Sequence, residues 1–280
     1  MKVFYKNKSL QENLIKINRS TSIGFVPTMG ALHKGHLSLI KKAKAENKII
    51  VVSIFVNPTQ FDKKEDLSNY PRTLEKDLTL LKTVNCEVVF VPSVDEIYNG
   101  RTIASHFNFD GLEFQMEGKH RKGHFDGVGT IVKRLFEIVK PHKAYFGEKD
   151  FQQLQIIKKL VEQHTIPIQV IGCEIFREND GLAMSSRNVR LTELQRKEAS
   201  FIYKILKKTK VKFKEISISE VVKWVENEFE KNDVLDLEYF EIANIKNLKS
   251  AKRKRKNSTY RGFIAAFAGN IRLIDNIALN

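Results

Sequence analysis

Residues 48–56, Lys48-Ile49-Ile50-Val51-Val52-Ser53-Ile54-Phe55-Val56, form a nearly unbroken β-branched and aromatic run. A strand with one wet face alternates polar and apolar side chains, whereas a strand covered on both faces does not. The run therefore predicts an interior strand of a parallel sheet with helices above and below. The flanking pattern agrees. Strand-like segments at 23–26, 86–91, 144–146 and 166–176 alternate with helical periodicity at 36–47, 71–83, 128–139 and 151–164. Pro71 opens one helix, while Pro92 and Pro141 close a strand and a helix. Alternating strands and helices imply right-handed crossovers and a Rossmann-like α/β fold, parallel sheet with helices on both faces.

The remainder reads differently. Helices are expected at 192–208 and 219–230, each with Ser or Thr near its start. Strands are expected at 237–242, 262–267 and 271–277, the last two joined at Ala268-Gly269-Asn270, a hairpin signal. The expected organisation is a Rossmann-like domain over 1–176 and a smaller α+β C-terminal domain over 177–280.

In a parallel sheet, ligands bind beyond the carboxyl ends of the strands. Three polar motifs fall there. After Val26 comes Pro27-Thr28-Met29-Gly30-Ala31-Leu32-His33-Lys34-Gly35-His36. Two imidazoles three residues apart then sit at a helix start, where N–H groups and the dipole favour phosphate. Gly30 and Gly35 would let the backbone approach a nucleotide. After Val56 come Asn57 and Gln60, amides that donate and accept without adding charge. The same segment also reads as a plain Asn-Pro turn. After Phe146 comes Gly147-Glu148-Lys149-Asp150. A Lys at a helix N-terminus opposes the dipole, so Lys149 calls for an anionic partner.

A fourth segment, Met184-Ser185-Ser186-Arg187, offers hydroxyls and a fork-shaped cation for phosphate, or alternatively a Ser-rich loop. Gly123 to Thr130 resembles a phosphate loop only loosely and reads better as a helix cap. No Gly-x-Ser-x-Gly elbow, His-Glu-x-x-His pair or Walker lysine is present. The constellation supplies cations and donors without a nucleophile.

Composition sets limits. The formal net charge of +15 admits a polyanion partner or anionic small substrates. The dense run Lys252-Arg253-Lys254-Arg255-Lys256 has no interleaved aromatics and reads as a solvated loop, so no nucleic-acid partner is expected. No apolar run approaches the ~20 residues that cross a bilayer, and the N-terminus lacks a signal-peptide pattern. A cytoplasmic protein without a membrane partner is expected. Cys86 and Cys173 lie far apart in strand-like runs and read as buried thiols.

These motifs, with Ser53 to Phe61, Tyr70 to Leu78, Gly123 to Phe136, Tyr145 to Leu154, Asp180 to Asn188 and the terminal Arg272-Leu273-Ile274-Asp275-Asn276-Ile277-Ala278-Leu279, closely resemble the pantoate–β-alanine ligase family. The resemblance runs from residue 26 to 279. It places the chain among HIGH-signature nucleotidyltransferases and implies condensation of (R)-pantoate with β-alanine through a pantoyl adenylate, releasing AMP and pyrophosphate.

The resemblance also implies roles. His36, His33 and Lys149 are the catalytic candidates. Met29, Gly30, His33, His36, Gly147, Lys149, Asp150, Phe176, Met184, Ser185, Ser186 and Arg187 are the ATP contacts. Gln60 and Gln153 are the substrate contacts, and Asn57 joins them as a candidate from its place at the strand end. Mg²⁺ is expected with ATP, with Asp77 as its candidate protein ligand. A homodimer is implied, with the C-terminal domain as a lid. Gln60 with Gln153 favours a small hydroxy acid over the acceptor of a cytidylyltransferase. The chain departs from the family at Arg121-Lys122-Gly123-His124, where Arg-Pro-Gly-His is common, and at Pro141-His142, Asn244 and the basic run.

Overall fold

A computed structural model describes residues 1–17 and 21–280. The chain forms two compact units. One comprises Met1–Glu113, Glu117–Glu148 and Gln153–Glu174, the other Phe114–Met116, Lys149–Gln152 and Ile175–Asn280.

The first unit is built on six strands: β1 (Lys2–Phe4), β2 (Ile23–Thr28), β3 (Ile49–Ile54), β4 (Val88–Phe90), β5 (Lys143–Gly147) and β6 (Gln169–Cys173). All pairings are parallel, in the order β1-β4-β3-β2-β5-β6. Helices α1 (Asn7–Ile15), α2 (Lys34–Glu46), α3 (Lys64–Ser68), α4 (Leu74–Thr83), α5 (Val94–Tyr98), α6 (Met116–His120), α7 (His124–Val139) and α8 (Phe151–Gln163) connect them.

Neighbouring residues of a strand face opposite sides, and β2 shows this directly. Val26 packs in one cluster with Ile40 and Ala43 of α2. Phe25 meets Phe136 of α7 edge-on, with ring centroids 6.3 Å apart. Helices therefore cover both faces. Ile50, Val51 and Val52 are fully buried, as their pattern requires. Burying each such side chain stabilises the fold by roughly 1.5–3 kcal/mol. Cys86 and Cys173 are buried free thiols, and burial pushes the Cys86 thiol up to about 12.

The second unit holds α9 (Glu193–Glu198), α10 (Phe201–Glu215) and α11 (Ile218–Phe229), with β7 (Leu235–Asn244), β8 (Tyr260–Ala268) and β9 (Ile271–Ala278) as an antiparallel sheet. Ile202, Ile205, Leu206, Thr209 and Phe213 of α10 repeat at helical spacing and are all buried. Ser217 caps α11 in a capping box with Glu220. Gly269, at φ +59, is the first of two loop residues between β8 and β9, where a II′ turn favours glycine. The single helix expected over 192–208 is two: α9 ends before Ala199 and Ser200, and α10 begins at Phe201. No helix among the described residues is long and apolar enough to cross a membrane.

Candidate active site

Strands β2, β3 and β4 run outward to one side of β2, and the chain then returns to place β5 and β6 on the other. The strand order reverses between β2 and β5, and such a reversal opens a crevice at the carboxyl ends. Thr28 ends β2 and Gly147 ends β5, so the first and third sequence motifs flank this point.

The turn after β2 is strained and held. Gly30 has φ +80, and Ala31, which carries a Cβ, has φ +49. A non-glycine residue there costs about 1–3 kcal/mol and persists only where its surroundings hold it. Asp77 of α4 does so. Its Oδ2 accepts from the Ala31 N–H at 2.9 Å, and its Oδ1 accepts from the Leu32 N–H at 2.8 Å and the Thr73 hydroxyl at 3.1 Å. A Cβ on Gly30 would lie 3.1 Å from Asp77 Oδ2, so glycine also makes room for the carboxylate.

His33 is the N-cap of α2 in extended conformation. Its N–H donates to His36 Nδ1 at 3.3 Å, and the two rings lie 4.0 Å apart. With Nδ1 accepting, the neutral His36 ring carries its proton on Nε2. Helix α2 thus presents an imidazole donor beside its positive end.

The second motif is tied to the first. Gln60 Nε2 donates to Met29 Sδ at 3.1 Å, and Gln60 Oε1 accepts from Asn57 Nδ2 at 3.1 Å. Asn57 is buried, and its amide is engaged on every side. Nδ2 also donates to the Gly127 carbonyl, while Oδ1 accepts from the Tyr98 and Thr59 hydroxyls. Asn57, expected to contact substrate, holds Gln60.

From α7, buried His124 donates through Nδ1 to the Gln60 carbonyl at 2.8 Å. Its Nε2 accepts from Arg121, which pairs with Asp62 at 3.5 Å and Glu117 at 3.6 Å. Burial, reinforced by the Arg121 charge, pushes the His124 pKa down to about 3, so the ring is neutral. Gly127 allows this approach, since a Cβ there would lie 2.2 Å from the Thr59 carbonyl oxygen. The Gly123–Thr130 segment is a helix start packed against the Gln60 turn.

Gly147 closes β5 opposite Cys173, and Gln153 lies half-buried in the first turn of α8. In the second unit, Lys149 is mostly buried, with its ammonium 3.8 Å from Asp150. Met184 donates its N–H to the Phe176 carbonyl at 3.0 Å, so these two expected contacts meet. Ser185 Oγ accepts from the Arg187 N–H at 3.3 Å. Arg196 of α9 binds Glu178 at 2.6 Å and Asp180 at 2.5 Å, pinning the preceding turn. The Arg196 guanidinium holds the Asp180 carboxyl below the usual range.

Among the described residues Asp77, the expected Mg²⁺ ligand, is committed to backbone and hydroxyl donors. Asp77 already accepts three hydrogen bonds in a buried position. Among the described residues no three His, Cys, Asp or Glu side chains gather as a metal site.

A sequence model of the family described as pantoate-beta-alanine ligase matches residues 2–278. The chain belongs to this family. The pantothenate synthetase of Flavobacterium psychrophilum is 57% identical over 259 residues, covering 92% of each chain. That of Christiangramia forsetii is 52% identical over 282 residues and covers 100% of both. The pantothenate synthetase structure from Thermus thermophilus matches with TM-score 0.91 at 37% identity, covering 100% of this chain and 99% of that one. The pantoate-beta-alanine ligase structure from Francisella tularensis, complexed with beta-gamma ATP and beta-alanine, matches with TM-score 0.82 at 36% identity, covering 100% and 98%.

In this pantoate-beta-alanine ligase, the polar ends of β2 and β3 carry positioned side chains, the His33–His36 pair and the Gln60 amide. The sequence alone assigned no site role to Tyr98, Arg121, His124, Arg177 or Asn276. His124 carried a signal in its position just after Gly123, but its partner Gln60 is remote in sequence.

Proposed function

We propose that this ligase condenses (R)-pantoate with β-alanine in two steps, through a pantoyl adenylate formed at the His33–His36 turn. The observation that carries this reading is the His33 N–H to His36 Nδ1 bond, which orients the His36 ring at the start of α2, with its proton on Nε2. In the first step a pantoate carboxylate oxygen attacks the α-phosphorus, and the bond to pyrophosphate breaks. In the second the β-alanine amine attacks the acyl carbon, AMP leaves with the carboxylate oxygen, and the amine loses a proton.

Each residue does electrostatic or positional work. His36 and His33 donate to the phosphates, and Lys149 and Arg187 offset charge on the leaving pyrophosphate. Met29, Gly30, Gly147, Asp150, Phe176, Met184, Ser185 and Ser186 surround ATP. Gln60 and Gln153 orient pantoate, with Asn57 behind Gln60. The Mg²⁺ that accompanies ATP enters as part of the substrate. Ser185 to Arg187 supply hydroxyls and a fork-shaped cation for the phosphates. We also infer a homodimer on the family resemblance, which light scattering tests.

The deciding experiment is ATP–pyrophosphate exchange without β-alanine. Exchange that requires (R)-pantoate is expected. Folded protein that makes pantothenate without such exchange would overturn the adenylate.

A further inference from the structure

We propose that Asp275 and Asn276, consecutive residues of β9, are positioning residues that register Lys149 against the loop of residues 177–187. The proposal deepens the function proposed above, in which both segments grip ATP. Adjacent residues of a strand point to opposite sides, so such a pair reaches two segments at once. Asp275 accepts from Arg177 in a bidentate pair, Nη1 to Oδ2 at 2.6 Å and Nη2 to Oδ1 at 2.9 Å. Arg177 also donates to the Gly181 carbonyl at 3.0 Å and lies 3.7 Å over the Tyr203 ring. Gly181, at φ +94, packs where a Cβ would lie 2.3 Å from Tyr203. The root of the 177–187 loop is thereby fixed to β9.

Asn276 reaches the other segment. Its Nδ2 donates to the carbonyl oxygen of Lys149 at 2.9 Å, and its Oδ1 accepts from Arg261. Arg261 in turn lies 4.1 Å over Phe151, two residues beyond Lys149. The two side chains are linked through the strand itself, since the Asn276 N–H donates to Asp275 Oδ1 at 2.7 Å.

Asp275 and Asn276 are 4% and 2% exposed. Apolar residues at such positions often serve stability as well as or better than a buried ion pair. What an apolar pair lacks is directed bonds to two separate segments. A shift of about 1 Å in a phosphate-binding group can cost on the order of a hundredfold in rate. A link that fixes Lys149 relative to Arg187 therefore has a kinetic value that packing does not supply.

Asn276→Asp keeps size and the acceptor toward Arg261 but replaces the donor toward Lys149 with a repelling oxygen. It is expected to lower kcat/KM for ATP in pantoate-dependent exchange by about tenfold, an order of magnitude short of full misplacement, with KM for pantoate little changed. In a Lys149→Ala background the same substitution is expected to add nothing, because it acts through Lys149. Equal losses in both backgrounds, or an unchanged kcat/KM for ATP, would overturn the proposal. If Asn276→Asp does not fold, Asn276→Ser is read in the same two backgrounds. ATP affinity by calorimetry, measured alongside, judges this link even if wild-type protein shows no exchange, a result that counts only against the adenylate.

Discussion

The carboxylate of Asp77 accepts the backbone N–H groups of both Ala31 and Leu32. One side chain from α4 thus holds the strained turn that leads into α2. Asp77→Ala orphans two amides, and each buried donor left unpaired costs about 1–3 kcal/mol. Urea denaturation is expected to show that loss together with reduced ATP turnover. Raised Mg²⁺ is not expected to restore activity to Asp77→Asn. Restoration would identify Asp77 as a metal ligand after all.

His36→Ala removes the Nε2 donor and also the Nδ1 acceptor that caps the start of α2. A lost donor to developing charge costs about 10²–10³ in rate. Pantoate-dependent exchange is expected to fall by that factor with the circular dichroism spectrum unchanged. An exchange rate near wild type would take His36 out of the reaction.

His124 sets a pH dependence of stability. Unfolded, its imidazole takes a proton near pH 6.5; folded, it stays neutral until about pH 3, chiefly through burial, then the Arg121 charge, opposed by the Gln60 carbonyl, Glu117 and Asp62. Between those values the unfolded chain binds more protons, so stability rises with pH. The contribution is whole above the unfolded value and is lost as pH falls toward the folded one. His124→Asn cannot titrate. Its deficit in unfolding free energy relative to wild type, from urea denaturation, is expected to shrink as pH falls below about 6.5, by at most about 1.4 kcal/mol per pH unit. A constant deficit from about pH 7 to 5 would mean that the folded ring takes up protons freely.

Gly127→Ala places a methyl group against the Thr59 carbonyl and the Gln60 backbone. Overpacking of this kind costs about 1–3 kcal/mol. Because the displaced element carries Gln60, KM for pantoate is expected to rise more than KM for ATP. Equal changes in both would assign Gly127 to stability alone.

The sheet's interior was legible because burial on both faces writes itself as an unbroken apolar run, as in Ile49 to Ile54. The polar turns were legible because Gly30, His33 and His36 lie close together in sequence. Edges and boundaries were not. Strand β1 has three residues and no periodicity, and it exists only by pairing with Val88 to Phe90. The helix expected from Pro71 starts at Leu74, because Thr73 has φ −131 and ψ 46 and serves as its N-cap. Helix α7 starts four residues early, at His124, although Gly127 and Gly129 disfavour it. Their missing side chains admit the Gln60 turn and the rings of Phe107 and Phe109, so tertiary packing overrides propensity. Asn57 stood out in the sequence as an amide at a strand end, and Asp77, inside α4, only through the family resemblance. That each is bonded to the protein itself is visible only in three dimensions.

The reversal of strand order has a consequence for synthesis on the ribosome. Gly24 pairs with Ile50 on one side and with Lys143 on the other. The first contact forms early and the second waits for most of the first unit to emerge. Long-range pairing of this kind is slow because loop closure precedes its reward. Nascent chains that stop before β5 therefore carry the whole histidine turn but have no crevice beside it, so binding of ATP should begin abruptly with chain length rather than grow in proportion to it.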